Sequence, residues 1–256
     1  MNSFQTAIIR AGGGWVGVTG EQGCSMEKGE SLRDTIGSYS NYVDIIALRH
    51  KNDNAAKIAA EISKVPVINS GCGSKEHAVG GLMMLSNYIK IFDQLDGLKI
   101  GLYGTPEINR VSKAMVPIMG YYGVTFFIDD LGHFPLPREV EDSAKKNGLA
   151  ELKYDKMENF ISDIDILIVT RGLQKGIIPE GKFPKEKEEI ILNSYKPINK
   201  EHMKKLRKDA YLSMIVPRIF EIEKDVDNDP RSLYTQKGAF QELIMAVMSY
   251  YMEIKV

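Results

Sequence analysis

The stretch VPVINSGCGSKEHAVGGLMML, Val65 to Leu85, decides the fold. It opens on a short apolar run rich in β-branched residues, the pattern of a buried strand. Gly71 and Gly73 then form a turn that feeds a helix starting near Lys75. Strand, tight loop and helix N-terminus in succession make the place where α/β proteins hold anions, because free backbone N–H groups and the positive end of the helix dipole converge there. His77 falls in the first turn of that helix, so any function must explain what meets His77.

Upstream, residues Met1 to Gly12 read as a helix, with Phe4, Ala7, Ile8 and Ala11 at helical spacing, and Trp15 to Val18 as a short strand. The polar loop from Thr19 to Glu30 leads to a helix carrying Leu32, Ile36 and Tyr39. A strand follows from Asp44 to Leu48, capped by Arg49 and His50, and then a helix from Asn54 to Ser63. Downstream, the helix Glu76 to Phe92 ends at the LDGLK turn, where a second alternation begins: strand Lys99 to Tyr103, helix Glu107 to Met119, strand Val124 to Ile128, helix Pro137 to Asn147, strand Asp165 to Val169. A lysine-rich excursion through Lys182 to Glu189 precedes a helix at Lys200 to Leu206, a strand at Ala210 to Val216 and a last helix from Ser232 to about Tyr250. This rhythm predicts an α/β protein of two doubly wound parallel-sheet domains, residues 1–93 plus 237–256 and residues 94–236, bridged by long helices.

Composition narrows the function. Lys plus Arg total 33 against 34 Asp plus Glu, which argues against a general affinity for nucleic acid or anionic membrane. The two cysteines, Cys24 and Cys72, follow no metal spacing, and together with the lack of a signal-peptide pattern they point to the cytoplasm. No apolar run approaches the roughly 18 residues of a spanning helix. No metal and no cofactor is implied. GCGSKE lacks the spacing of a dinucleotide fingerprint or a P-loop, so a nucleotide-binding reading is weak.

Ligands of parallel sheets sit at the carboxyl ends of strands. Arg49, His77, Arg110 and Arg171 all follow strand ends. Taken singly, such an arginine is most often a surface or ion-pair residue, such a histidine a capping or satisfied polar group, and Lys28 a solvated loop lysine. Taken together, three arginines and a histidine at strand ends suit a small molecule with two or more anionic groups, since guanidinium matches carboxylate or phosphate in a bidentate fork.

KGESLRDTIGSYSNYVDIIALRH, VPVINSGCGSKEH, DILIVTR and VPRIFEIEKDVDNDPRSLY, in this order, resemble the aspartate carbamoyltransferase catalytic chain, of the aspartate/ornithine carbamoyltransferase family. The resemblance runs from Ser3 to the final helix. It implies a first domain for carbamoyl phosphate, a second for aspartate, and a homotrimer with shared active sites. Arg49 and His77 would contact the carbonyl oxygen of the transferred group, and Lys28 would reach into the neighbouring subunit's site. Arg110 and Arg171 would hold the two carboxylates of aspartate, with Gln174 near its amine and Pro217 matching a cis proline beside it.

The departures from the family lie on one side. The family's Ser-Thr-Arg-Thr-Arg phosphate loop belongs just before Ser3, so the expectation is a divergent chain lacking that segment and one strand of the first sheet. Ala78, Val79 and Gly80 stand where the family has Pro-Thr-Gln, and Met214 to Pro217 stand for its His-Pro-Leu-Pro turn. The reading that follows is an aspartate carbamoyltransferase-like enzyme of amino-acid metabolism. It would act on aspartate or a related dicarboxylate or amino acid with altered chemistry, by another donor or as a lyase or cyclase. Two alternatives stand beside it: a non-catalytic ligand-binding or partner subunit of a transcarbamoylase, and orthodox carbamoyl transfer with the phosphate loop supplied otherwise.

Overall fold

The computed structural model describes residues 2–18, 28–172, 185–235 and 240–252. The chain divides into two compact units, Met1–Ser86 with Ala239–Val256, and Asn87–Gly238.

In the first unit, β1 (Ile46–His50) and β2 (Val67–Cys72) pair in parallel, with Ile46 opposite Val67 and His50 opposite Cys72. Helix α3 (Ala55–Ile62) makes the crossover between them, the connection that a parallel pair requires. Helix α2 (Leu32–Tyr39) begins at Ser31, whose side chain accepts the Asp34 N–H. Helix α4 (Ala78–Ile91) follows β2. The core joins α1 (Asn2–Arg10) to α10 (Phe240–Tyr251): Ala7, Ile68, Val79, Ile244 and Met248 are buried together, with Phe4, Ile8 and Ile45 packed against them. The sequence ends are thus held by one apolar cluster. Trp15 to Val18, expected as a strand, has no regular structure, and Trp15, Val16 and Val18 are exposed. Three glycines in Gly12–Gly14 and Gly17 leave that run little to hold it extended.

The second unit holds five parallel strands in the order β5-β4-β3-β6-β7. They are β3 (Lys99–Tyr103), β4 (Thr125–Asp129), β5 (Glu151–Tyr154), β6 (Ile166–Val169) and β7 (Tyr211–Met214). Helices α5 (Arg110–Gly120), α6 (Arg138–Lys146), α7 (Met157–Phe160), α8 (Lys185–Ser194) and α9 (Lys200–Lys205) connect them. The chain winds outward from β3 through β4 to β5, then returns to the other side of β3 for β6 and β7. The order reverses between β3 and β6, whose carboxyl ends lie level, Tyr103 opposite Val169. Every residue of β6 is buried, as befits a strand covered on both faces.

Several boundaries differ from expectation for identifiable reasons. The division between units falls inside α4, not at the LDGLK turn, because the end of that helix is anchored in the second unit. There Tyr88 is fully buried with its hydroxyl bonded to Ser213, and Phe92 meets Tyr211 edge-on. Burial pushes the Tyr88 phenol well above its ordinary range. The last helix starts at Phe240; Ser232 instead bridges Leu212 beside β7 and donates to the Val226 carbonyl.

Candidate active site

The reversal point between β3 and β6 is where an open parallel sheet leaves a crevice at its carboxyl end. Two of the expected arginines follow these two strands. Arg110 is the first residue of α5, and not a turn into a helix starting at Glu107, because the buried Asn109 caps it: its side-chain oxygen accepts the N–H groups of Val111 and Ser112, both at 3.0 Å. A cation at a helix N-terminus opposes the dipole by roughly 0.3–1 kcal/mol. Arg171 follows β6, half-buried, and its Nε is a buried donor with no hydrogen-bond acceptor among the described residues. A buried guanidinium N–H left unsatisfied is costly, and an anionic ligand would satisfy it.

The backbone carrying Arg171 is fixed by side chains. Thr170 Oγ1 accepts the Thr105 N–H at 2.6 Å and donates to the Tyr103 carbonyl. The Tyr195 hydroxyl donates to the Thr170 carbonyl at 2.5 Å, and Thr105 Oγ1 donates to the Arg171 carbonyl at 2.6 Å. Tyr195 is buried, which raises its phenol well above the ordinary value and keeps it a donor. Gly104, at φ +118°, lets the two loops approach: a Cβ there would lie 2.4 Å from Thr170 Oγ1. Gly172 donates its N–H to the fully buried carboxylate of Glu221.

The Val216–Pro217 peptide after β7 is cis. Arg218 beside it is committed internally, forked onto Asp227 and lying over the Tyr234 ring, while Tyr234 donates to the same carboxylate at 2.8 Å. The Arg218 guanidinium holds the Asp227 carboxyl below its usual range.

In the first unit, Arg49 is the penultimate residue of β1 and exposed. His77 is half-buried and precedes α4 instead of lying in its first turn: its Nδ1 accepts the Gly80 N–H at 3.0 Å, the position of an N-cap. A ring nitrogen that accepts carries no proton, so the neutral ring carries its proton on Nε2 as a donor. The loops after β1 and β2 are tied by Gly73 N–H to the His50 carbonyl and Ser74 N–H to Asp53 Oδ1 at 2.8 Å. Lys28 is exposed. Gln174 lies outside the described residues. Among the described residues no cluster of three His, Cys, Asp or Glu could hold a metal, and no helix is long and apolar enough to cross a membrane.

Sequence reasoning missed Thr105, Asn109, Thr170, Tyr195 and Glu221. The Asn-Arg pair before an apolar helix was a readable capping signal for Asn109; the others are ordinary polar residues until the strands are ordered.

Comparison with known proteins agrees with this architecture. The family model described as "Aspartate/ornithine carbamoyltransferase, carbamoyl-P binding domain" matches residues 1–86. The aspartate carbamoyltransferase catalytic subunit of Sulfurisphaera tokodaii is 36% identical over 243 residues, 93% of this chain and 77% of the relative. That of Thermococcus onnurineus is 31% identical over 232 residues, 91% and 73%. Among solved structures, the catalytic subunit of M. jannaschii aspartate transcarbamoylase superposes with a TM-score of 0.83 at 31% identity, covering 98% of this chain and 80% of that one. Trypanosoma cruzi aspartate transcarbamoylase bound to N-(phosphonacetyl)-L-aspartic acid gives 0.83 at 22% identity, covering 96% and 78%, a likeness of fold. The match from residue 1 through 86 gives no support to the expectation of a divergent first unit stripped of its phosphate segment. Sheet order, identity over most of the sequence and superposition agree: the chain belongs to the aspartate carbamoyltransferase catalytic-subunit family.

Proposed function

We propose that the chain is a transferase that moves a carbamoyl group to the amine of aspartate. The observation that carries this reading is the pair of arginines after β3 and β6, one held at a helix start by Asn109 and the other with a buried Nε that meets no acceptor among the described residues. Two guanidinium groups at one reversal point suit the two carboxylates of aspartate, which fixes its amine for attack. As the amine adds to the carbamoyl carbon, negative charge gathers on the carbonyl oxygen; the Arg49 guanidinium and the Nε2–H of His77 stabilise it until phosphate leaves with the bonding electrons and takes up the proton that the amine gives up. Pro217 borders the amine, and Lys28 acts from a neighbouring subunit in a homotrimer. The test is formation of N-carbamoyl-aspartate and phosphate from carbamoyl phosphate and aspartate, abolished in Arg171→Ala. Activity that survives this change sinks the assignment.

A second reading, altered donor chemistry on a retained dicarboxylate site, is favoured by one observation. Gly80, in place of the family's glutamine, has no side chain to offer a carbamoyl nitrogen, and its N–H serves the His77 cap. Melting curves distinguish the two: stabilisation by succinate but not by phosphate or carbamoyl phosphate favours altered chemistry, and stabilisation by both classes excludes it.

A further inference from the structure

Glu221 is an acidic residue with no exposed surface, 0% accessible, in a segment whose other acids face solvent or pair with cations. Its two oxygens serve two different loops. Oε1 accepts the Gly172 N–H at 3.0 Å, in the loop that carries Arg171; Oε2 accepts the Ile219 N–H at 2.7 Å and the Phe220 N–H at 3.1 Å, in the loop that follows Pro217. The residue itself is anchored: the Ile198 N–H donates to the Glu221 carbonyl, and the Glu223 N–H donates to the Ile198 carbonyl. The same two loops touch a second way, because a Cβ on Gly172 would sit 2.7 Å from the Phe220 ring. A buried carboxylate is tolerated only when its lone pairs are filled, and three backbone N–H groups fill them here.

We propose that Glu221 is the positioning residue of the site, setting Arg171 relative to the Pro217 turn; this rests on the reading of Arg171 as a carboxylate ligand. A carboxylate is required by the geometry. Glutamine has nearly the same shape but one acceptor oxygen, so whichever way its amide turns, an –NH2 group meets the N–H of one loop and that loop loses its acceptor. Glu221→Gln therefore uncouples the two loops without changing side-chain volume, and its effect reaches the ligand only through Arg171.

Succinate binding by calorimetry reads this without relying on turnover. The proteins are wild type, Glu221→Gln, Arg171→Ala, the double variant, and Val226→Ala as a control from the apolar cluster that also holds Ile222, the neighbour of Glu221 in sequence. Glu221→Gln is expected to weaken succinate binding about tenfold or more, the scale of a lost charge-assisted hydrogen bond. It should add less than about twofold to the loss already present in Arg171→Ala, because the two act through one contact. Val226→Ala should lower the melting temperature and leave succinate binding unchanged. Wild-type affinity in Glu221→Gln, an equal loss in Val226→Ala, or a full additional loss in the double variant each overturns the positioning role. Unchanged binding in Arg171→Ala overturns the reading beneath it, and the role with it.

Discussion

Arg110 sits where its charge opposes a helix dipole, and Asn109 holds it there with a doubly accepting side chain. The two residues therefore separate stability from function. Asn109→Ala removes the cap of α5 and leaves buried N–H groups unmet, so it should cost about 1–2 kcal/mol of unfolding free energy, read from the urea midpoint. Arg110→Gln should raise the aspartate KM at least about tenfold, measured by initial rates. His77 shows how far a sequence reading reaches at this scale. The sequence offered it as a site candidate after a strand-loop pair, with a capping role as the ordinary alternative; the Gly80 contact shows the cap, and with it the tautomer. Glu221 was not legible at all: in EIEKDVDND an acid reads as part of a solvated face, and only the folded chain buries it.

At the scale of elements, strong apolar patterns were readable and weak ones were not. The fully buried β6 and the β3 and β4 runs were located within a residue or two, because burial on both faces writes a continuous apolar run into the sequence. The edge strand β5 went unread: ELKY exposes most of its residues and has no apolar alternation to see. Helix α8 was passed over as a charged excursion, since Ile191 is its one buried residue. Two local predictions follow from how elements are held. Gly104→Ala forces a side chain into positive φ and against Thr170, and should destabilise the second unit by about 1–3 kcal/mol in denaturant titration. Helix α9 starts with a reciprocal cap in which His202 Nδ1 meets the Asn199 N–H. Burial, aided by Lys205 and Lys196 and opposed by Glu158 and Glu223, lowers the His202 pKa below 6.5. The folded state therefore disfavours the proton. Stability from this residue is complete above the unfolded pKa and falls as pH drops below it toward the depressed folded value. The urea midpoint should decline as pH falls below about 6.5 in wild type, with a shallower decline in His202→Gln.

For the whole molecule, the division into two α/β units followed from the double alternation, while its boundary did not, because Tyr88 and Phe92 tie the end of a long helix to the second unit. The altered-chemistry expectation came from three local departures, and the broad similarity to catalytic subunits does not support it. Assembly is tested by mixing: if Lys28 serves a neighbour's site, Lys28→Ala and Arg110→Ala chains, each inactive, should regain part of wild-type activity when refolded together, and an active monomer in sedimentation would rule out sharing. The central claim is carbamoyl transfer to aspartate held by Arg110 and Arg171, and its most direct test is product formation. Purified protein given carbamoyl phosphate and L-aspartate should release N-carbamoyl-aspartate and phosphate in equal amounts, and Arg171→Ala should abolish the release; no product from the wild-type protein, or product undiminished in the variant, would contradict the claim.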